Sequence, residues 1–247
     1  MDEIFEFVEQ SAISREDQEL LDAFEPLSYW FGAFLGDGYT WYYPFQRSNK
    51  WGVGIECMDR EIIERCLDHV NTFLFSTQDK KVRNYTLKSG TEMYQVRWHS
   101  KEFAEFMIHA TNSKEKMPDY IWKASTKARL EFLRGLMDTD GTITSSTRRD
   151  GAELYRLIFS GKTGFVRQFP DLCRVLKINV SFQQDQRYLG YDFRLSLPDA
   201  LKAGFDFYCR RKSVKLCKYW NESFGKKGGR PVGLKPSETI RSKLRCN

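Results

Sequence analysis

The chain has 247 residues, of which 41% are hydrophobic and 15% aromatic, and it carries a formal net charge of +6. This composition is typical of a folded protein with a sizeable core, and it excludes a disordered chain. Apolar runs fall short of the ~18 residues that a membrane span needs, and no signal-peptide pattern opens the chain. We therefore expect an intracellular protein, cytoplasmic or associated with a nucleoid or an organelle, that is neither secreted nor bound to a membrane.

The charge is distributed unevenly. Residues 1–28 carry nine acidic side chains and one arginine, whereas residues 210–247 carry twelve lysines and arginines and two glutamates. A basic end suits a polyanionic partner, although a solvated charged face has the same composition. The six cysteines lack C-x-x-C spacing, which excludes a zinc module and favours reduced, buried thiols.

The hydrophobic pattern predicts an alternation of helices and β-hairpins. After a weakly amphipathic helix predicted at residues 2–24, Ser28 is expected to cap the helix of the next segment. The elements predicted next are a helix at 29–37, a hairpin at 39–57, a helix at 59–75, a hairpin at 81–98 and a helix at 100–110. In the second hairpin, alternate residues from Tyr94 to Trp98 are apolar, so one face is expected to be buried and the other free to meet a ligand.

The same order then restarts. The second set comprises a helix at 125–140, strands at 142–149 and 152–160, a helix at 163–176, strands at 178–188 and 191–197, and a helix at 198–208. An internal repeat of about 100 residues predicts two units related by pseudo-two-fold symmetry. Residues 210–247 are basic and contain four glycines, which predicts an arm.

Each unit opens with the same short stretch. The copies read Trp30-Phe31-Gly32-Ala33-Phe34-Leu35-Gly36-Asp37-Gly38 and Leu133-Arg134-Gly135-Leu136-Met137-Asp138-Thr139-Asp140-Gly141. Small residues recur every fourth position, which allows two helices to approach closely. Each helix then ends in an aspartate, where the helix dipole disfavours a carboxylate by ~0.3–1 kcal/mol.

Two converging carboxylates at helix ends are sensible if divalent cations lie between them, because hard oxygen ligands suit Mg²⁺. In a single copy, Asp-Gly would more readily be a helix stop and turn. Two copies 103 residues apart, each opening a matched hairpin repeat, favour a functional site at Asp37 and Asp140.

The second copy is close to letter-perfect for the LAGLIDADG motif, and on these residues the chain resembles a single-chain LAGLIDADG homing endonuclease. The resemblance covers about residues 28–210. It implies an α/β fold of the α+β type, with two pseudo-symmetric αββαββα repeats, the motif helices packed at their interface and two β-sheets forming a DNA-binding saddle. The implied domains are an acidic extension at 1–27, repeats at 28–122 and 123–210, and a basic tail at 211–247.

The resemblance also implies the activity. It is that of a sequence-specific, metal-dependent endonuclease that makes a double-strand break at a long DNA site in intron or intein homing, acting as a monomer with an internal pseudo-dimer. Asp37 and Asp140 would bind Mg²⁺ or Mn²⁺ together with the carbonyls of Gly36 and Thr139, and the metals would activate water and polarise the phosphate. Leu35 departs from the acid that the second copy has at Asp138, but the final acid is present in both copies.

Two lysines and a set of strand residues complete the predicted site. By position after the last helix of each repeat, Lys116 and Lys212 are candidates to order water or stabilise charge, although solvated surface lysines are an equal alternative. Side chains on the strands are of the types that contact bases and phosphates. They are Gln46, Arg47, Arg83, Gln95, Arg97, Arg148, Arg156, Gln183, Arg187 and Arg194.

Other functions remain open. An intron maturase, or a catalytically inactive nucleic-acid-binding relative, would share the same scaffold. Retention of Asp37 and Asp140 favours cleavage, although maturases can keep both acids. An intein-derived protein is less well supported, because no splicing-type termini flank the repeat.

Overall fold

A computed structural model of the chain describes residues 15–44, 50–74, 81–147, 149, 151, 153–162, 164–185 and 190–221. Most of the acidic extension, most of the basic tail and four of the predicted DNA-binding residues lie outside these ranges. Those four are Gln46, Arg47, Arg148 and Arg187. Every helix among the described residues is too short or too polar to span a bilayer.

The first repeat follows a short acidic helix. That helix is α1 (Arg15–Phe24), and a 3₁₀ turn (Glu25–Leu27) joins it to the repeat. The elements of the repeat are α2 (Ser28–Asp37), β1 (Gly38–Tyr43), β2 (Lys50–Cys57), α3 (Arg60–Leu74), β3 (Arg83–Thr86), β4 (Glu92–Trp98) and α4 (Lys101–Thr111). A linking 3₁₀ turn (Asp119–Trp122) leads to the second repeat.

The second repeat has the same order and one further helix. Its elements are α5 (Thr126–Thr139), β5 (Gly141–Thr147), β6 (Glu153–Gly161), a 3₁₀ segment (Gly164–Gln168), α6 (Phe169–Val175), β7 (Val180–Asp185), β8 (Gly190–Leu195), α7 (Leu197–Lys202) and α8 (Arg210–Trp220). The predicted α+β fold with two matched repeats is confirmed.

Each repeat contains one antiparallel four-stranded sheet. The strand orders are β1-β2-β4-β3 and β5-β6-β8-β7, so the two sheets have the same topology. The registers also correspond, because Gly38 pairs with Ile55 and Gly141 pairs with Phe159 immediately after the two motifs. Alternate residues such as Val96 and Trp98 are buried against the helices, which leaves the opposite face of each sheet to solvent.

The motif helices α2 and α5 pack backbone to backbone at the centre of the molecule. A Cβ atom built on Gly32 would lie 2.0 Å from the carbonyl oxygen of Phe132, and one on Gly135 would lie 2.1 Å from that of Tyr29. Neither contact leaves room for a methyl group. The predicted close approach of the two helices is therefore present, and only glycine permits it at these two positions.

Several boundaries differ from the sequence-based expectation. Ser28 does not cap α2, since the preceding 3₁₀ turn runs directly into the helix and the Ser28 hydroxyl instead hydrogen-bonds Tyr120 Oη at 2.9 Å. The helix predicted at 163–176 begins as a 3₁₀ segment and becomes α-helical only where Pro170 occupies the first turn. Helix α7 ends well before 208, because Gly204 (φ +88°) breaks it.

The start of the predicted basic arm is a helix in the structure. Helix α8 begins at the expected start of the arm and buries Lys212, Leu216 and Trp220. Tyr219 also contacts the ring of Tyr155, a residue of the second sheet, at a centroid distance of 5.4 Å. The folded body therefore continues at least to Trp220.

Candidate active site

The two motif helices bring Asp37 and Asp140 together. Asp37 is the last residue of α2, and Asp140 caps the end of α5. The carboxyl carbon of Asp140 lies 3.3 Å from the point that a Cβ on Gly36 would occupy, which shows how closely the two helix ends approach. The helix pair thus brings together the two acids that the sequence singled out.

Both carboxyl groups are held in an environment that disfavours their charged form. Burial and then the charge of Asp140 raise the pKa of Asp37 to about 6, against the opposing effects of Lys114 and Lys212. Burial raises the pKa of Asp140 as well, and the same two lysines lower it. The two lysines only partly offset the effect of burial on these carboxylates. Two buried carboxylates offer oxygen ligands, which a hard divalent cation prefers.

Lys212 lies at the end of α5, as its predicted role requires. Its side chain is buried, and Nζ donates hydrogen bonds to the carbonyls of Met137 (2.9 Å), Asp138 (2.5 Å) and Thr139 (3.1 Å). These are the carbonyls that a helix leaves unpaired at its C-terminus. Burial lowers the pKa of Lys212, while Asp138 opposes that effect. Its role in chemistry stays a prediction.

In the first repeat, the lysine that the structure places at the end of the motif helix is Lys114 and not the predicted Lys116. Lys114 Nζ donates to the carbonyls of Gly36 (2.5 Å) and Gly38 (3.2 Å), at the end of α2. Lys116 instead pairs with the exposed Asp119 at 2.7 Å.

The physical reason for this difference is a local reversal of the chain. Asn112, Ser113 and Lys114 all have positive φ angles, of 44°, 55° and 70°. This conformation is rare in residues other than glycine, and it turns the third side chain back towards the motif helix. The sequence offered one sign of it, since Asn112 directly after a helix is a residue that tolerates the left-handed region.

The carbonyls of Gly36 and Thr139, predicted as metal ligands, both accept lysine hydrogen bonds in the structure. A carbonyl oxygen has two lone pairs, so a lysine contact does not preclude ligation. Their role as ligands stays a prediction.

Asp138 is a site residue whose role the sequence did not indicate. It is 1% exposed, and its carboxylate accepts hydrogen bonds from Tyr29 Oη (3.0 Å) and from the backbone N–H groups of Tyr208 (3.2 Å) and Cys209 (3.1 Å). Burial raises its pKa to about 6 although these hydrogen bonds oppose the shift. Asp138 thereby ties the end of α5 to the residues just before α8. The only available signal was the acid itself, which stands where the first motif has the buried Leu35.

The solvent-facing side of the first sheet carries three of the predicted DNA-binding residues. Arg83 and Arg97 are exposed, and Arg97 Nε donates to Tyr39 Oη at 3.0 Å while its guanidinium lies 5.8 Å from the Trp41 ring centroid. Gln95 is only 7% exposed, because its amide donates to Glu56 Oε2 at 2.5 Å. The sheet therefore offers two exposed arginines, whereas Gln95 is already engaged.

The second sheet presents the other three described residues on one face. Arg156, Gln183 and Arg194 are exposed, and Arg194 Nη2 donates to Gln183 Oε1 at 3.2 Å. Hydroxyl side chains of β5 share this face, since Thr144 pairs with Arg156 in the register. The two faces thus differ in chemistry: aromatic side chains lie beside the arginine of the first, and hydroxyls lie beside those of the second.

Comparison with known proteins shows the fold. No protein-family model and no curated protein matches the sequence. Among solved structures, I-DmoI in complex with DNA and Ca matches with a TM-score of 0.53 and 16% identity over 73% of this chain and 87% of that one. The LAGLIDADG meganuclease I-AabMI, bound to uncleaved DNA, matches with a TM-score of 0.52 and 11% identity over 88% and 96% of the two chains.

A third match has similar extent. I-SmaMI, bound to an uncleaved DNA target in the presence of calcium ions, gives a TM-score of 0.53 and 14% identity over 89% of this chain and 97% of that one. Identities this low establish architecture alone. The chain has the two-repeat fold of the single-chain LAGLIDADG homing endonucleases.

Proposed function

We propose that this protein is an endonuclease that uses Mg²⁺ or Mn²⁺ to cut both strands of a long, specific DNA site. The observation that carries the proposal is the convergence of Asp37 and Asp140 at the ends of two helices in backbone contact, where burial raises the pKa of both acids. The fold shared with I-DmoI, which has been studied with DNA and Ca or Mn, supports it.

The acids would hold the cations, with the carbonyls of Gly36 and Thr139 as further oxygen ligands. When bound, divalent ions would lower the pKa of a water molecule and polarise the scissile phosphate. Lys114 and Lys212 each place an ammonium group at the end of one motif helix, where it can stabilise charge that develops on the phosphate. The chain therefore provides two comparable centres, one at the end of each motif helix.

Two centres suit the two strands of a duplex. The exposed faces of the sheets supply cations for phosphate and base contacts, namely Arg83, Arg97, Arg156 and Arg194. Because these faces differ in chemistry, the two half-sites of the DNA should differ in sequence. A single chain then suffices, acting as a monomer inside the cell on an intron or intein insertion site.

The test is cleavage mapping on a library of DNA targets with Mg²⁺. Asp37→Asn and Asp140→Asn should each abolish double-strand cleavage and leave specific DNA binding largely intact, since an amide keeps the shape but loses the charge. Asp171→Asn, which alters an exposed acid paired with Arg174, is the matched control.

The outcomes separate the alternatives. Near wild-type cleavage of both strands by either variant would place the site elsewhere. A wild-type protein that binds nucleic acid and cuts nothing would favour the maturase or the inactive relative, and an intron-splicing assay would distinguish those two.

A further inference from the structure

Each lysine-bearing segment follows the last sheet and helix of its own repeat, but the opposite repeat holds it in place. We call residues 112–117 the first lysine segment and residues 208–212 the second. At the second, the backbone N–H of Arg210 donates to Glu61 Oε1 at 2.9 Å. The guanidinium of Arg211 pairs with both oxygens of Asp59, at 2.9 and 3.3 Å. Asp59 and Glu61 stand at the start of α3, in the first repeat.

The reverse contact is made at the equivalent place. In the first lysine segment, the N–H of Met117 donates to Gln168 Oε1 at 2.6 Å. A Cβ on Gly164 would lie 2.7 Å from the Glu115 carbonyl oxygen, so the two backbones touch. Gly164 and Gln168 lead into α6, as Asp59 and Glu61 lead into α3. The two contacts are related by the pseudo-symmetry but differ in chemistry, because one is an ion pair and the other is neutral.

The ion pair between Asp59 and Arg211 lies next to Lys212. Arg211 is its neighbour in sequence, and the three carbonyl contacts of Lys212 Nζ depend on where α8 begins. Asp59 can hold the start of α8 in place, because its side chain is largely buried (15% exposed) whereas that of its partner Arg211 is 51% exposed. Burial raises the pKa of Asp59, but the hydrogen bond and charge of Arg211 outweigh it and hold the pKa below its usual range.

We propose that Asp59 is a positioning residue for the cleavage centre of the opposite repeat, so that the first repeat controls how fast one DNA strand is cut. This inference rests on the proposed endonuclease function. Loss of the Asp59 charge would loosen the second lysine segment. It would affect the Lys114 centre much less, because the Asp59 charge is only the smallest of the named causes of the raised pKa of Asp37. The expected product is nicked DNA.

The experiment uses full-length protein and a supercoiled plasmid carrying the mapped site. Lys212→Met and Lys114→Met first show which strand depends on each lysine. Asp59→Asn should then slow cleavage of the Lys212-dependent strand by roughly tenfold, as loss of a supporting residue commonly does, and change cleavage of the other strand much less. Glu64→Gln is the matched control, because it breaks the exposed Arg60–Glu64 pair on the same helix.

A double-variant comparison isolates the ion pair. Arg211→Gln should give the same strand bias as Asp59→Asn, and the two changes together should cost no more than either alone. Independent effects that multiply would overturn the pairing. Equal slowing of both strands by Asp59→Asn would overturn the positional role.

Amide hydrogen exchange of the free protein without metal tests the contact separately from cleavage. Asp59→Asn should speed exchange in Arg210 to Lys212 and leave Glu115 to Met117 unchanged. Unchanged exchange at Arg210 to Lys212 would overturn the contact even if the enzyme is active. A wild-type protein that cuts neither strand would overturn the proposed function, and the control of cleavage with it, even if the exchange result is as expected.

Discussion

Ionisation of Asp37 at neutral pH lowers the stability of the folded protein. Its pKa of about 6 in the folded protein lies above the ordinary value of 3.8. A buried carboxyl with a raised pKa binds protons more tightly in the folded than in the unfolded state. Stability is therefore lost as pH rises between these two values, and it stays lower above pH 6.

Thermal unfolding of the metal-free protein between pH 4 and 8 tests this consequence. Asp37→Asn should be more stable than wild type above about pH 6, and the difference should shrink towards pH 4. Addition of Mg²⁺ should raise the wild-type Tm and change that of the variant much less, because bound ligand stabilises only the form that binds it. Parallel pH curves for the two proteins would contradict the assigned environment of Asp37.

The two nearby lysines of the first repeat allow a direct comparison. Lys114→Met removes the ammonium group from the Gly36 carbonyl, whereas Lys116→Met removes only an exposed ion pair. We expect Lys114→Met to slow cleavage of one strand by about 10²-fold or more, in the range found for loss of one charge-stabilising donor. Lys116→Met should retain wild-type rates on both strands. A slow Lys116 variant beside a fast Lys114 variant would reverse the assignment.

At the scale of elements, periodicity predicted which segments are helices and which are strands, but not the terminal turns. Alternation of apolar and polar residues identified the buried side of β4, and Ser125 caps α5 through the N–H of Ala128 at 3.2 Å. The failures share one cause. Whether Ser28 caps a helix, or where the 3₁₀ segment before α6 gives way to α-helix, depends on neighbours that are distant in sequence, such as Tyr120.

The central helix pair gives a prediction at this scale. Gly135→Ala adds a good helix former, worth up to ~1 kcal/mol in an isolated helix. The new Cβ would lie 2.1 Å from the Tyr29 carbonyl oxygen, which is backbone and cannot turn aside. Overpacking should win and destabilise the protein by about 1–3 kcal/mol net. Denaturant unfolding would measure this, with exposed Lys127→Ala in the same helix as the control, and unchanged stability would contradict the close approach of the helices.

For the whole molecule, two copies of a nine-residue motif revealed the architecture even though no family model matches the sequence. Spacing and repetition were sufficient, because the pseudo-symmetry repeats every element in order. The support of each lysine by the opposite repeat could not be predicted in the same way. Asp59 and Arg211 are 152 positions apart, and nothing local in either segment indicates its partner.

The basic tail that can be removed without loss of the folded body begins after helix α8. Because Tyr219 and Trp220 pack on the body, truncation belongs after Asn221. Residues 222–247, which lie outside the described residues, carry seven lysines and arginines and two glutamates. Their removal should keep the fold and the cleavage position but weaken DNA binding, because cations that neutralise phosphates release counterions.

A salt titration of full-length and truncated protein on one DNA target measures this effect. The slope of log K against log salt should flatten by ~0.9 for each phosphate that the tail neutralises in the full-length complex. Truncation after Lys218 is the contrasting variant, since it also removes Tyr219 and Trp220 and should lower the Tm, whereas truncation after Asn221 should not. Identical slopes and affinities for the full-length protein and the Asn221 truncation would show that residues 222–247 take no part in DNA binding.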